Sequence, residues 1–261
     1  MQNPLRITAV QSNIVWENRA ENLRRLDAMS GLRNTTDIIV LPEMFTTGFT
    51  MQPEVFAESP DGDAIAWMRR LAADTEALVI GSLSMRVGQQ FYNRLHAVFP
   101  SGEYVGYDKV HLFSFGNEPA QYTSGSSRHL VDWKGWRILP LICYDLRFPE
   151  LARNTFEQPY DVLLYVANWP AVRSYPWSTL LRARAIENQS YVVGVNRVGT
   201  DGNGIDHSGD SVVLDPRGAI LAAGEPGKEE VFHAVLDPHD LADFRAKFPV
   251  LKDYKFTEPP R

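Results

Sequence analysis

The chain has 261 residues, 44% hydrophobic and 22% charged, with 26 lysines and arginines against 32 aspartates and glutamates for a formal net charge of −6. This is a globular composition, outside the disordered, collagen-like and disulfide-stapled classes, and its acidic balance without a Lys/Arg cluster gives no footprint for nucleic acid. No uninterrupted apolar stretch of about 18 residues occurs and MQNPLRITAV lacks a basic, apolar leader, so a soluble chain with no membrane partner is expected. The single cysteine, Cys143, excludes an intramolecular disulfide and fits a reducing cytoplasm. The six histidines are scattered without metal-ligand spacing, and no metal or cofactor is expected.

In chain order, LRITAVQ (5–11) is a β-rich run, and residues 17–31 carry Ala20, Leu23, Leu26 and Met29 at near-helical spacing, which predicts a strand feeding an amphipathic helix. DIIVL (37–41) is a continuous apolar run of strand length, predicting burial on both faces of a sheet, and it ends at Pro42 and Glu43. A helix is predicted from Ser59 to Asp74, with Ile65, Met68, Leu71 and Ala72 on one face. Residues 77–86 and 91–99 read as strands joined by VGQQ, and Pro100–Glu103 turns the chain into another strand at 104–107, an antiparallel meander. From 109 to 127 a long loop rich in Gly, Ser, Asn and Pro begins at Lys109 and contains Glu118. Strands at 128–133 and 136–142 flank a Lys134-Gly135 hairpin turn, and the second runs directly into Cys143.

A helix at 149–156, a strand at 161–167 and a helix at 175–189, with Trp177, Leu180, Leu181 and Ile186 facing inward, follow. Strands at 191–198, 210–215 and 231–237 complete the alternation. No linker or composition shift divides it, so one α/β domain of two packed sheets spans 1–261. The segment 238–261, with Phe244, Phe248, Tyr254 and Phe256, is too aromatic to be left in water and is expected to lie across a neighbouring surface such as a second subunit's. The glycine-rich stretch 198–206 lacks phosphate-loop spacing and reads as a turn or rim loop.

On residue type alone Cys143 is a core cysteine, Glu43 a solvated or capping acid, and Lys109 a surface lysine. Position argues otherwise, because each stands one or two residues past a strand, and in open α/β sheets sites form beyond the carboxyl ends of strands. His111 is the nearest histidine for a Cys/His pair, but nothing else supports that pairing. A cysteine nucleophile, a glutamate that moves protons and a fixed lysine charge supply the attack, proton transfer and oxyanion stabilisation of acyl transfer. The opening of a helix and the lysine charge are expected to lower the thiol pKa from its usual value of about 8.5.

LPEMFTTGF around Glu43, YDKVHLF around Lys109 and ICYDLRFPEL around Cys143 resemble the three signature segments of the nitrilase superfamily, the carbon–nitrogen hydrolases, over residues 6 to about 254. ANWP with Arg173 following, LLRARAIENQSYVVGVNRVG and DSVVLDPRG resemble the omega-amidase branch, which acts on 2-oxo dicarboxylic acid monoamides such as 2-oxoglutaramate and 2-oxosuccinamate. The resemblance implies a four-layer αββα sandwich, a homodimer and a small-molecule amide substrate. It implies Cys143 as nucleophile, Glu43 as general base, and Lys109 with the Tyr144 backbone N–H as the oxyanion holder. Glu118 matches a second glutamate that positions Lys109 or the substrate amide. Tyr144-Asp145 departs from the Cys-Trp pattern frequent in true nitrilases, which argues against a nitrile substrate.

A dicarboxylate monoamide needs a cation for its distal carboxylate, and Arg pairs with one bidentately. Arg173 is the candidate ahead of Arg147, for which pairing with a nearby acid is at least an equal reading. Trp169, Phe115 and Tyr144 are candidate pocket walls. A deaminated-glutathione amidase, an N-carbamoyl-amide hydrolase and, from a different class, a catalytically silent binding protein of the same fold are the alternatives.

Overall fold

The computed structural model describes residues 3–255. Chain order is Leu5–Gln11 (β1), Arg19–Ala28 (α1), Ile38–Val40 (β2), Pro53–Phe56 (α2), Asp63–Thr75 (α3), Leu78–Val87 (β3), Gln90–Val98 (β4) and Tyr104–Asp108 (β5). It continues with Val131–Trp133 (β6), Trp136–Ile142 (β7), Pro149–Ala152 (α4), Val162–Ala167 (β8), Ser174–Asn188 (α5), Tyr191–Asn196 (β9) and Val198–Thr200 (β10). Asp206–Ser208 (β11), Val212–Leu214 (β12), Ile220–Ala223 (β13), Glu230–Leu236 (β14) and Pro238–Lys247 (α6) complete it.

Two six-stranded sheets have the orders β14-β1-β2-β3-β4-β5 and β13-β12-β9-β8-β7-β6. Each has a parallel centre, β1-β2-β3 in one and β7-β8-β9 in the other, flanked by antiparallel strands. Side chains alternate between two covered faces, which explains why β2 and β8 are apolar throughout. Ile38 and Val40 face the core between the sheets, in one buried cluster with Ile138, Leu164 and Val193 of the second sheet. Ile39 and Leu41 face the opposite way, onto Leu26 of α1 and Ile65, Met68, Leu71 and Ala72 of α3. Trp177, Leu181 and Ala185 of α5 cover the outer face of the second sheet, giving the four-layer αββα sandwich that the signature segments imply. Among the described residues no helix is long and apolar enough to cross a membrane.

Several boundaries differ from the sequence expectations for local reasons. The helix anticipated from Ser59 starts at Asp63, because the cap comes from Glu58, whose Oε2 accepts the Ala64 N–H at 3.1 Å, rather than from a Ser or Asp. The helix anticipated at 149–156 stops at Ala152, where Asn154 donates to the carbonyls of Tyr160 and Asn188 and pulls the chain away. On α5, Trp177 and Leu181 are buried and Leu180 is partly buried, but Ile186 is 51% exposed, on the outward side of the helix. The Lys134-Gly135 turn is as expected: both residues have positive φ, 48° and 84°, and Trp133 pairs with Trp136.

The carboxy-terminal segment opens as α6 and is tied to its own chain. Arg245 binds Asp161 at 2.9 Å and the Gln189 carbonyl, Arg217 lies over Phe244 at 4.4 Å, and Arg153 lies over Tyr254 at 5.5 Å. Phe248 remains 60% exposed, and Phe256 lies outside the described residues.

His96 on β4 is fully buried against Tyr104, with ring centroids 5.0 Å apart. Burial first, then the Arg94 and Arg69 charges, push its pKa down to about 3. The unfolded imidazole takes a proton near pH 6.5 while the folded one stays neutral, so unfolding binds a proton throughout that window and stability falls as the pH drops through it. Between pH 7 and 5 the wild type is expected to lose about 2 kcal/mol more than His96→Gln, read from urea unfolding at each pH. Equal losses in the two proteins would refute this.

Candidate active site

Glu43, Lys109 and Cys143 are each delivered by a strand end, and Glu118 by a short turn in the loop after β5. Past β2, the Leu41 N–H still bonds the Ile80 carbonyl, and the chain then reverses at Met44, which has φ 42° and whose N–H bonds Ser82 Oγ at 2.9 Å. Glu43 sits on the near side of that reversal, fully buried. Lys109 follows β5, and its own N–H continues the pairing to the Asn93 carbonyl at 3.0 Å. Cys143 follows β7 and opens a 3-10 turn over Cys143–Arg147 with φ 44°.

That left-handed conformation costs a non-glycine residue about 1–2 kcal/mol, and Asp145 holds it in place. Its Oδ2 accepts the Ile142 N–H at 3.1 Å and the Tyr107 hydroxyl at 2.7 Å, and its Oδ1 accepts the His111 backbone N–H at 2.9 Å. The His111 ring is engaged in the same clasp: Nδ1 lies 2.9 Å from Asp145 Oδ1 and the ring stacks on Phe148 at 3.8 Å.

The structure brings Glu43, Lys109, Glu118 and Cys143 together. Lys109 Nζ donates to Glu43 Oε1 at 2.9 Å and to both Glu118 oxygens at 3.1 and 3.0 Å. Glu118 Oε2 also accepts the Phe113 N–H at 2.6 Å. The Asn168 N–H, just past β8, holds Glu43 Oε2 at 2.8 Å, and its side chain donates to the Glu43 carbonyl. Burial works against the Lys109 ammonium, but Glu118 and Glu43 outweigh it and push its pKa up, so it is a fixed charge. Burial and the nearby Glu43 push Glu118 up, against the opposing pull of Lys109.

The Cys143 thiol departs from the sequence expectation. Burial first, then the Glu43 carboxylate, raise its pKa well above the usual thiol value, and Lys109 offsets only part of this. The resting group is therefore a thiol whose proton must pass to a neighbour as sulfur attacks, rather than a preformed thiolate.

Glu43, Lys109, Cys143 and Asn168 line one cavity of about 170 Å³. Glu118 does not line it and lies behind Lys109. Tyr144, Trp169, Arg173 and Phe115 all line the cavity, as does Arg147. Tyr144 meets the Phe113 ring edge-on at 5.0 Å, whereas Phe115 is 86% exposed and stands at the mouth. Trp169 Nε1 donates to the Arg173 carbonyl at 2.7 Å, which fixes the turn that presents Arg173. Arg173 lies over Phe113 at 5.6 Å and Arg147 over Trp169 at 5.0 Å. No acid among the described residues pairs with Arg147, so the structural pairing considered for it is not present.

Sequence reasoning missed four contributions, the first being Asn168, which it did not single out. Asn93 donates to both glutamates and was hidden inside a strand run. Phe49 and Met51, from the loop after Glu43, line the cavity. The hairpin formed by β10 and β11 does too, through Asp201, Asn203, Ile205 and His207, so the glycine-rich stretch is a rim element. Its glycines were legible as a turn, but which side chains it points at the cavity follows only from its pairing register.

A buried thiol, a carboxylate and a fixed ammonium converging at strand ends of an αββα sandwich define a thiol-dependent hydrolase of carbon–nitrogen bonds. The chain belongs to the carbon–nitrogen hydrolase family, whose profile matches residues 6–246. It is 46% identical over 249 residues to the omega-amidase YafV of Yersinia enterocolitica, covering 95% of this chain and 96% of that protein. It is 32% identical over 254 residues to the 2-oxoglutaramate amidase of Bacillus subtilis strain 168, covering 95% and 97%. Among solved structures it resembles XC1258 of Xanthomonas campestris, a CN-hydrolase superfamily protein with an arsenic adduct in its active site, with a TM-score of 0.94, 43% identity and coverage of 97% and 98%.

Proposed function

We propose that this protein is an omega-amidase that hydrolyses the terminal amide of 2-oxo dicarboxylic acid monoamides, 2-oxoglutaramate and 2-oxosuccinamate, to the acid and ammonia. The observation that carries the reading is one small cavity that joins the Cys143, Glu43 and Lys109 group to two guanidiniums, Arg147 and Arg173, which have no acid partner among the described residues. A neutral amide end for the thiol and an anionic end for an arginine is what such a substrate offers. The relatives named as omega-amidase and 2-oxoglutaramate amidase support the same choice.

In this mechanism Cys143 Sγ attacks the amide carbonyl carbon as its proton passes to Glu43. The oxyanion forms against Lys109 and the backbone N–H of Tyr144, which lies in the opening turn of the 3-10 segment where N–H groups have no intrahelical acceptor. Glu43 returns the proton to the leaving nitrogen, the C–N bond breaks, and ammonia departs from a thioester. Glu43 then takes a proton from water, whose oxygen adds to the thioester carbon, and the C–S bond breaks as Glu43 passes that proton to the sulfur, which releases the acid and restores both the thiol and the carboxylate. Glu118, set behind Lys109, keeps the ammonium in place and acts on the substrate only through it.

Arg173 is assigned to the distal carboxylate, and Trp169, Phe115 and Tyr144 to the walls. Loss of one charged pairing is worth roughly 10- to 100-fold. Arg173→Ala is therefore expected to raise KM for 2-oxoglutaramate by that factor, with little effect on an uncharged short amide. Ammonia release should be measured from 2-oxoglutaramate and 2-oxosuccinamate beside deaminated glutathione, a carbamoylated amino acid and a nitrile. Turnover of deaminated glutathione alone would move the substrate assignment, and a larger KM effect in Arg147→Ala would move the carboxylate to that residue. A cavity of about 170 Å³ suits the short oxo acids better than a peptide.

The chain is read as a single domain acting as a cytoplasmic homodimer, with 238–261 near the subunit interface. The exposed Val172, Tyr175 and Phe248, which a partner would cover, support the dimer, and the single unpaired cysteine supports a reducing compartment.

A further inference from the structure

The ionisable side chains of the site share a neutral member. Asn93 lies on β4, fully buried, on the same face as Leu95 and Ala97, which belong to the core between the sheets. A polar residue at an apolar position of the pattern needs partners, and this one has them. Its Nδ2 donates to Glu43 Oε1 at 2.7 Å and to Glu118 Oε1 at 3.2 Å, and its backbone carbonyl accepts the Lys109 N–H at 3.0 Å. It thus touches three of the four site residues without lining the cavity.

Two features argue that the amide is there for the carboxylates. First, two buried glutamates share one ammonium, so a neutral donor between them lowers their mutual repulsion without adding a charge. Second, Asn93 Oδ1 is buried with no partner. An orphaned acceptor is a cost that packing alone would remove by substituting an apolar residue. The reverse orientation of the amide would set this oxygen against two carboxylates.

The bonds also divide the labour of Glu43. Lys109 and Asn93 both occupy Oε1, while Oε2 accepts the Asn168 N–H at 2.8 Å. We propose that Asn93 is a positioning residue: by pinning Glu43 Oε1 beside Lys109 it fixes the carboxylate plane so that Oε2 is presented to the Cys143 proton and the leaving nitrogen. This rests on Glu43 carrying the proton, as in the reading above, but not on which amide is the substrate.

Asn93→Leu keeps most of the volume and removes the donor, whereas Asn93→Asp keeps the shape and adds a third acid beside one ammonium. Losing hydrogen bonds to a charged group predicts a fall in kcat of about 10- to 100-fold for Asn93→Leu, with KM held within about threefold. Asn93→Asp should be slower still. Alkylation of Cys143 by iodoacetamide, which needs the same proton loss from sulfur but breaks a carbon–iodine bond and no C–N bond, should slow in parallel with kcat. A merely structural asparagine would leave kcat and alkylation near wild type in any variant that folds. A kcat within about twofold of wild type, or a loss confined to KM, overturns the proposal. Should Asn93→Leu fail to fold, Asn93→Ala is read by the same two measurements. If no 2-oxo acid amide is turned over but alkylation still slows, the substrate assignment falls and the role of Asn93 stands.

Discussion

Replacing Cys143 with alanine is expected to abolish ammonia release while leaving the fold intact. The loss should be on the order of 10⁴- to 10⁶-fold in kcat, the range seen when a covalent nucleophile is removed. The fold should survive because the thiol contributes one small side chain at a strand end, and Asp145, rather than the sulfur, holds the turn. Cys143→Ser is expected to be nearly as inactive. The site raises even the thiol pKa through burial and Glu43, and a hydroxyl starts far higher and is a weaker nucleophile. Equal melting profiles with no detectable turnover is the expected result. Measurable turnover by Cys143→Ala would refute the thioester route and leave Lys109 and Glu43 to activate water directly.

The parts of this site that could be read in the sequence are those placed by continuous apolar runs. Residues 38–41, 138–142 and 162–167 are apolar runs because β2, β7 and β8 are covered on both faces, and each run stops where the chain leaves the sheet. The residues past the first two stops, Glu43 and Cys143, were therefore visible as candidates, whereas Asn168 past the third was not singled out. The signature segments then assigned roles that spacing alone left open. What was not legible depends on partners distant in sequence. Glu58 caps α3 from five residues ahead of it, and its carboxylate is also held by Arg19 at 2.6 Å. Edge strand β13 has the sequence ILAA with most of its side chains exposed, so no periodic pattern marks it. Asn93 looks like a break in an alternating strand until the loop carrying Glu118 closes over it. The direction of the Cys143 shift was misjudged for the same reason, since sequence shows the nearby charge of Lys109 but not the depth of burial or the approach of Glu43.

Lys109→Ala is expected to damage both chemistry and stability, because one ammonium serves two carboxylates. Loss of a preorganised donor to the oxyanion predicts a fall in kcat/KM of roughly 10²- to 10³-fold. Stability should fall too, since Glu43 and Glu118 would face each other in the interior without a cation, and breaking a buried pair in this way costs about 3–5 kcal/mol. The two effects separate by pH. With Lys109 gone, one of the two acids gains by taking up a proton, and Glu118, already pushed up by burial, is the one placed to do so. A carboxyl whose folded pKa stands above its unfolded value is stabilised when protonated, so the variant should regain stability relative to wild type as the pH falls from 7.5 towards 5. Activity should not recover along with it, because a protonated acid restores neutrality but supplies no fixed positive charge for the oxyanion. Urea unfolding and steady-state kinetics at both pH values test this together. A stability difference that stays constant with pH would show that the glutamates do not depend on Lys109, and recovery of kcat/KM at low pH would remove the lysine from oxyanion stabilisation.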